Sequence, residues 1–265
     1  MAWDRNVVIK SAEEIEIMRL AGRINALALE TVRKMFRPGI STAELDQAAE
    51  KIILEHGGIP TFKGYPGPYP YPATLTVSIN EELVHGIPGK RTLKEGDIVS
   101  VDCGTTYQGF VADSAFSAGV GSLSSKASQL IDVTEKALYE GIKQMVPGKR
   151  VGDISAAIQN YVEKFGYNVP REYSGHGVGR QMHEAPQVPN YGKPGRGIVL
   201  RPGITLAIEP MTLMGTYRTR VLPDQWTVVS ADGSLTAHHE HTVAVTDNGP
   251  VILTSLDDDQ PGRKR

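Results

Sequence analysis

The chain has 265 residues, a formal charge of −2 at neutral pH, 40% apolar residues and a single cysteine, Cys103. Such length and apolar content support a folded protein with a sizeable core; the small net charge speaks against nucleic acid as a specific partner, and one cysteine excludes an intrachain disulfide or a multi-thiolate metal site. No run approaches the roughly 18 apolar residues of a membrane span, and MAWDRNVVIK has no signal-peptide apolar core, so a cytoplasmic protein without membrane contact is expected.

Ser11 with Glu14, and Ser41 with Glu44, have capping-box spacing, and each pair precedes apolar residues at helical intervals: Ile15 and Met18, then Leu45, Ala48, Ala49 and Ile52. Both predict helices. A Pro- and Tyr-rich stretch, GYPGPYPYPATLT, runs from Gly64 to Thr76. Next, GDIVSVDCGTTYQGFVADSA, residues 96–115, reads as a β-hairpin. With Thr106 to Gly109 as its turn, Asp102 faces Asp113 across the ladder, and like charges directly opposed destabilise a sheet. Either both acids are solvated edge charges or they share a cation.

His176, between Gly175 and Gly177, is predicted in a loop whose backbone comes close to a neighbour. Its glycines lack both the dinucleotide order and a P-loop lysine, so phosphate binding is not expected. Glu209 ends a predicted strand before Pro210. Asp232-Gly233 is a hairpin-turn signal before a long strand on which Glu240 shares a face with His238, while His239, His241 and Val243 take the other. Residues 1–255 are expected to form one domain, followed by a charged, frayed tail at 256–265.

Two matches recur in the same order at nearly one offset. The stretch around Pro38-Gly39 resembles that around Pro147-Gly148, and LKEGDIVSVD ending at Asp102 resembles LRPGITLAIE ending at Glu209. A duplicated unit of helices followed by strands is the implication, with an acid at the corresponding point of each copy. Asp102, Asp113, His176, Glu209 and Glu240 together offer oxygen and nitrogen donors, a mix suited to Mn, Fe(II), Co or Zn. Four carboxylates in one partly desolvated pocket repel one another; two divalent ions cancel their charge, and a shared hydroxide leaves about one net negative charge to attract a free amino group.

The motifs INEELVHGIP, EGDIVSVDCG, GFVADSA, SGHGVGRQMHEAPQVPNYG, LAIEPM and EHTVAVTDNG, in this order, resemble the type I methionine aminopeptidases from about Ile9 to about Leu253. The resemblance implies an α+β pita-bread fold: two pseudo-symmetric halves whose antiparallel strands surround a dinuclear metal site, with helices outside. It implies two divalent ions, with Asp102 holding one, Asp113 and Glu240 bridging both, and His176 and Glu209 completing the other. A hydroxide shared by the ions then attacks the first peptide carbonyl, releasing the initiator methionine of a nascent protein or peptide whose second residue is small. By the same resemblance His183 donates to that carbonyl, His85 bonds near the leaving nitrogen, and Glu209 shuttles the proton.

A methionine pocket is expected from Trp226, Met182, Tyr69, Tyr71 and Thr76. Here the chain departs from the family pattern: Met182 stands where Phe is usual, Thr76 aligns with a common Cys, and the 64–72 stretch is richer in proline. The long insertion of type II relatives does not fit between His176 and Glu240, which points to a compact bacterial-type enzyme. The expected partners are N-terminal peptides, with transient ribosome association, and the expected state is a monomer. Two rivals share the fold: a proline-specific peptidase, which usually carries a further N-terminal domain, and a metal-free binding protein, against which the intact donor set speaks.

Overall fold

A computed structural model describes residues 6–257; residues 258–265 of the expected tail lie outside them. Among the described residues there are four α-helices, α1 (Ala12–Lys34), α2 (Thr42–Glu55), α3 (Ser125–Ile142) and α4 (Val151–Glu163). Both predicted capping boxes form: Ser11 Oγ accepts from the Glu14 amide and Ser41 Oγ from that of Glu44, while each Glu carboxylate accepts from the cap residue's own N–H. Orphan donors at both helix starts are thereby satisfied.

Fourteen strands are found among the described residues. The first five are β1 (Ile59–Pro60), β2 (Leu75–Ile79), β3 (Glu82–Val84), β4 (Ile98–Tyr107) and β5 (Phe110–Gly119). After α3 and α4 come β6 (Ser174–Gly177), β7 (Glu184–Pro189), β8 (Thr205–Ile208), β9 (Met211–Leu213) and β10 (Thr219–Val221). The last four are β11 (Val228–Ser230), β12 (Thr236–His238), β13 (Glu240–Thr246) and β14 (Gly249–Ile252). The main sheet runs β1-β4-β5-β13-β8-β6-β7, with β2 also on β4 and β14 on β13, and its pairs are antiparallel.

The duplication is present in three dimensions. Gly39 and Gly148 share a φ of 89°, a left-handed conformation that suits glycine. Gly39 N–H donates to Leu93 O and Gly148 N–H to Leu200 O, at 2.9 and 3.0 Å; Ser41 bridges Thr92 as Arg150 bridges Val199. Each half has its own apolar layer. Ala28, Val32, Leu45 and Ile53 from α1 and α2 pack on Val99 and Val101, and Leu130, Leu138, Ile154 and Ile158 from α3 and α4 pack on Leu206, Ile208 and Val243. With helices covering one face of the sheet, the other is left to line a cavity.

Three sequence expectations need correction. The β4–β5 turn centres on Gln108-Gly109, both at positive φ (47° and 78°), so Asp102 pairs with Ala115 and Asp113 with Gly104. A two-residue turn of this kind needs positive φ at both central positions, which draws Gly109 to the centre and makes the two acids diagonal neighbours. His176 lies in strand β6 rather than in a loop. The Asp232-Gly233 turn forms no hairpin: β11 pairs β10 and β3, whereas β12 pairs β9.

Candidate metal centre and its pocket

Antiparallel partners point their side chains to the same face of a sheet, so the register assembles the site directly. One row crosses the sheet as Thr76, Asp102, Ala115 and Glu240 on β2, β4, β5 and β13. The next row, two residues along, is Gly104, Asp113, Thr242, Ala207 and His176 on β4, β5, β13, β8 and β6. Glu209 follows β8 immediately, two residues beyond Ala207 and hence on its face. All five predicted metal-binding residues therefore converge, and the small residues Ala115, Ala207 and Gly104 between them leave room. The glycines flanking His176 have a packing reason too: a β-carbon on Gly175 would lie 2.5 Å from Ala207 O, and one on Gly177 would collide with Ala185 O.

The donor atoms are close and buried. His176 Nε2 lies 3.8 Å from Asp113 Oδ2 and 3.5 Å from Glu209 Oε1. His176 Nδ1 donates to Gly177 O at 2.9 Å, which turns the Nε2 lone pair inward. Asp102 Oδ1, Asp113 Oδ1 and Glu240 Oε1 are buried without a hydrogen-bond partner. Unpartnered buried carboxylate oxygens are costly; in a cluster with imidazole they have the chemistry of a cation site. Burial, with mutual repulsion, raises the pKa of Asp113, Glu209 and Glu240 well above the usual carboxylate range. Burial also pushes Asp102 up to about 7, against a hydrogen bond with Asp113 that lowers it. For His176, burial first and His183 second lower the value to about 3, keeping the imidazole neutral, the form a metal ligand needs.

Behind these residues, polar contacts fix the strands. Thr242 Oγ1 accepts from Asp113 N–H at 2.9 Å and donates to Asp113 O at 2.8 Å. Asn25 of α1, fully buried, donates to Cys103 O between the two aspartates and accepts from Ser114 Oγ.

A cavity of about 150 Å³ opens over the cluster, lined by the five residues together with His85, His183, Tyr71, Thr76, Met182 and Trp226. Every residue predicted for the site is present except Tyr69, which is exposed outside the cavity, its hydroxyl on Asp224 O and its ring edge-on to Trp226 at 6.2 Å. Tyr71 packs edge-on to Trp226 from within at 5.1 Å. His85 adopts φ 62°, edge-on to Trp226 and Tyr173, and burial lowers its value to about 4. His183 stands at the exposed rim, its ring 4.3 Å from that of His176.

Sequence reasoning missed Phe62 and Tyr65 as lining residues and left His238 out of the site. Tyr65 is the consequential one: its hydroxyl is 2.5 Å from His183 Nδ1. The signal available in sequence was the aromatic spacing of TFKGY just before the proline-rich stretch. For His238 it was the shared face with Glu240.

Comparison with known proteins agrees with the geometry. The model of metallopeptidase family M24 matches residues 16–247. A methionine aminopeptidase of Clostridium acetobutylicum is 51% identical over 249 residues, covering 94% of this chain and 98% of its own. The crystal structure of methionine aminopeptidase from Thermotoga maritima matches with a TM-score of 0.92 at 48% identity, covering 94% of this chain and 99% of that one. Prolidase from Pyrococcus furiosus has a TM-score of 0.77 at 23% identity, over 97% of this chain and 67% of its own, a likeness of fold alone. With a family match from one half of the duplicated sheet to the other, and near-full-length relatives at about half identity, the chain belongs to metallopeptidase family M24, among its methionine aminopeptidases.

Proposed function

We propose that the chain removes the initiator methionine from nascent proteins and peptides whose second residue is small, with Asp102, Asp113, His176, Glu209 and Glu240 holding two divalent ions of Mn, Fe(II), Co or Zn. The observation that carries this reading is the double row of buried, unpartnered donors on one sheet face. Asp113 and Glu240 are central in the rows and would be shared between the ions, with Asp102 available on one side and His176 and Glu209 on the other. Bound there, the ions supply Lewis acidity for activating water and polarising the scissile carbonyl.

The chain's own groups do the rest. Tyr65 O–H donates to His183 Nδ1, which leaves the imidazole proton on Nε2. His183 Nε2–H donates to the carbonyl oxygen as it gains charge, an interaction commonly worth about 3 to 4 kcal/mol. Neutral His85 bonds at the leaving amide nitrogen, and Glu209 passes a proton from the attacking water to that nitrogen. Tyr71, Trp226, Met182, Phe62 and Thr76 form a soft apolar pocket for the methionine side chain, in which sulfur against an aromatic edge adds about 0.3 to 1.5 kcal/mol. Residues 1–255 act as one catalytic domain of a cytoplasmic monomer that meets its substrates as N-terminal peptides, with transient ribosome association.

A panel of Met-X-Ser peptides, with Leu-Ala-Ser and X-Pro dipeptides as controls, tests the reading on metal-loaded protein. Bulk at the second residue displaces the carbonyl, and about 1 Å of misplacement costs roughly a hundredfold in rate. Met-Ala-Ser is therefore cleaved at least about a hundred times faster than Met-Lys-Ser, and intact mass of the protein from its host begins at Ala2. Equal cleavage of Met-Lys-Ser removes the size gate, and equal cleavage of Leu-Ala-Ser removes the methionine pocket. Preferred cleavage of X-Pro dipeptides assigns a proline-specific peptidase instead.

A further inference from the structure

His238 is a buried imidazole beside the cluster that the five-residue set does not use. It is 2% exposed, and its Nε2 is buried with no hydrogen-bond partner. That atom lies 3.8 Å from Glu209 Oε2 and 3.7 Å from Glu240 Oε2. Both separations are too long for hydrogen bonds. They match those of His176, which stands 3.5 Å from Glu209 Oε1 and 3.8 Å from Asp113 Oδ2. Donors about 2.0 to 2.2 Å from a common ion are roughly 3 Å apart at right angles and about 4 Å apart when opposed, so both imidazoles stand at ligand spacing. Glu209 thus has one carboxylate oxygen turned to each histidine, and Glu209, His238 and Glu240 form a second group of mutually close donors beside that of Asp113, His176 and Glu240.

Its place in the fold explains the orientation. The β-ladder is interrupted at His239 between β12 and β13, where His239 N–H reaches back to Pro210 O. His238 N–H bonds Ser117 Oγ, which in turn donates to His238 O. Those two contacts hold the residue's backbone on β5, with its side chain on the face of Glu240, so little conformational entropy is left to lose when Nε2 engages an ion.

We propose that His238 Nε2 is a sixth protein ligand of the metal centre, taken by the ion held through Glu209 and Glu240. The proposal rests on the reading that the five residues bind divalent ions, and it adds to that set a ligand on the opposite side of Glu209 from His176. A hydrogen-bonded outer role for His238 is the competing outcome, in which its nitrogen stays off the metal.

Proton NMR of the full-length protein loaded with Co(II) separates these outcomes, because the exchangeable N–H of a metal-bound imidazole is strongly hyperfine-shifted and is counted one per ligated histidine. Two such signals are expected. His176→Ala removes one, and His238→Gln removes the other and weakens binding of one Co(II) by about tenfold or more. The count in the unsubstituted protein does not depend on how either variant folds. A single shifted signal, lost in His176→Ala and kept in His238→Gln, overturns the sixth ligand while leaving the five-residue site intact. Absence of any shifted signal in Co(II)-loaded protein overturns the five-residue reading itself.

Discussion

Asp113 and Glu240 occupy neighbouring strands in adjacent rows, so truncating either removes a donor from the middle of the cluster rather than from its edge. Loss of a group that merely supports a ligand costs about 10 to 100-fold in metal affinity or activity; Asp113→Ala or Glu240→Ala therefore costs activity at least about a hundredfold. Each deletion also relieves repulsion among the remaining acids, so far-UV circular dichroism of the metal-free variants stays close to that of the parent. Near-normal activity in either variant would falsify its assignment. The histidines divide differently. His176→Ala lowers metal content, whereas His183→Ala keeps the metal and loses roughly 10² to 10³ in kcat, as expected for a donor engaged mainly in the transition state. Tyr65→Phe acts through His183: loss of one hydrogen bond, about 1 kcal/mol, lowers kcat roughly fivefold and leaves metal content unchanged. Equal metal loss in the His176 and His183 variants contradicts the division. Tyr65 was not legible as a partner of His183 because they are far apart in sequence, and only the folded 62–71 loop brings them together. That loop is tied by Tyr65 N–H to Phe62 O and Tyr71 N–H to Tyr65 O, at 2.8 and 2.9 Å.

At the level of the elements, the hairpin shows why much of the site could be read in advance despite a wrong register. Moving the turn by one residue changes each pairing by two positions, and a two-residue step preserves the face of a strand. Asp102 and Asp113 thus remained on one side although they are diagonal rather than opposed. The same parity put His238 beside Glu240. His176 was misplaced in a loop because three glycines within five residues have low strand propensity; the close approach of Ala207 O and Ala185 O, invisible in one sequence, is what requires them. The proline-rich loop was recognised as a departure but not as a wall. Its Gly67 lies flat on the Trp226 indole, where an added β-carbon would overlap the ring. Overpacking of this kind costs about 1 to 3 kcal/mol. Gly67→Ala consequently pushes the indole towards Tyr71 and raises KM for Met-Ala-Ser by about fivefold or more, with kcat within roughly twofold and metal content unchanged. An unaltered KM would show that the loop does not shape the pocket.

Across the whole molecule, the duplication was legible because both copies keep the same turn chemistry: a glycine at positive φ before α2 and α4, and another, Gly96 and Gly203, before β4 and β8. Each copy carries its acid four residues after its strand begins, at Asp102 and Glu209. The pairing of β5 with β13 that joins the halves was not legible, since it depends on contacts between segments more than a hundred residues apart. Joining the halves gathers four carboxylates in one buried place, and that has a consequence for stability without metal. An acid whose folded pKa is raised binds more protons folded than unfolded, so its stabilising contribution is complete below the unfolded value near 4 and is lost as pH rises through the folded value. For Asp102 that value is about 7, and Asp113, Glu209 and Glu240 are also raised. The buried histidines oppose this at lower pH: burial holds His176, His238 and His239 near 3 and His85 and His241 near 4, so their neutral folded forms lose stability as pH falls below the unfolded value of about 6.5. Above that pH the histidines are neutral in both states, and the raised carboxylates set the slope, joined near pH 8.5 by the Cys103 thiol, which burial also pushes up. The Tm of metal-stripped protein therefore falls between pH 7 and 8.5, while divalent metal, which binds the ionised carboxylates, raises Tm more at pH 8.5 than at pH 7. Differential scanning calorimetry with and without Mn(II) or Co(II) measures both, and a metal-stripped Tm that is flat or rising over this interval would mean that the four acids are not held together in the folded chain.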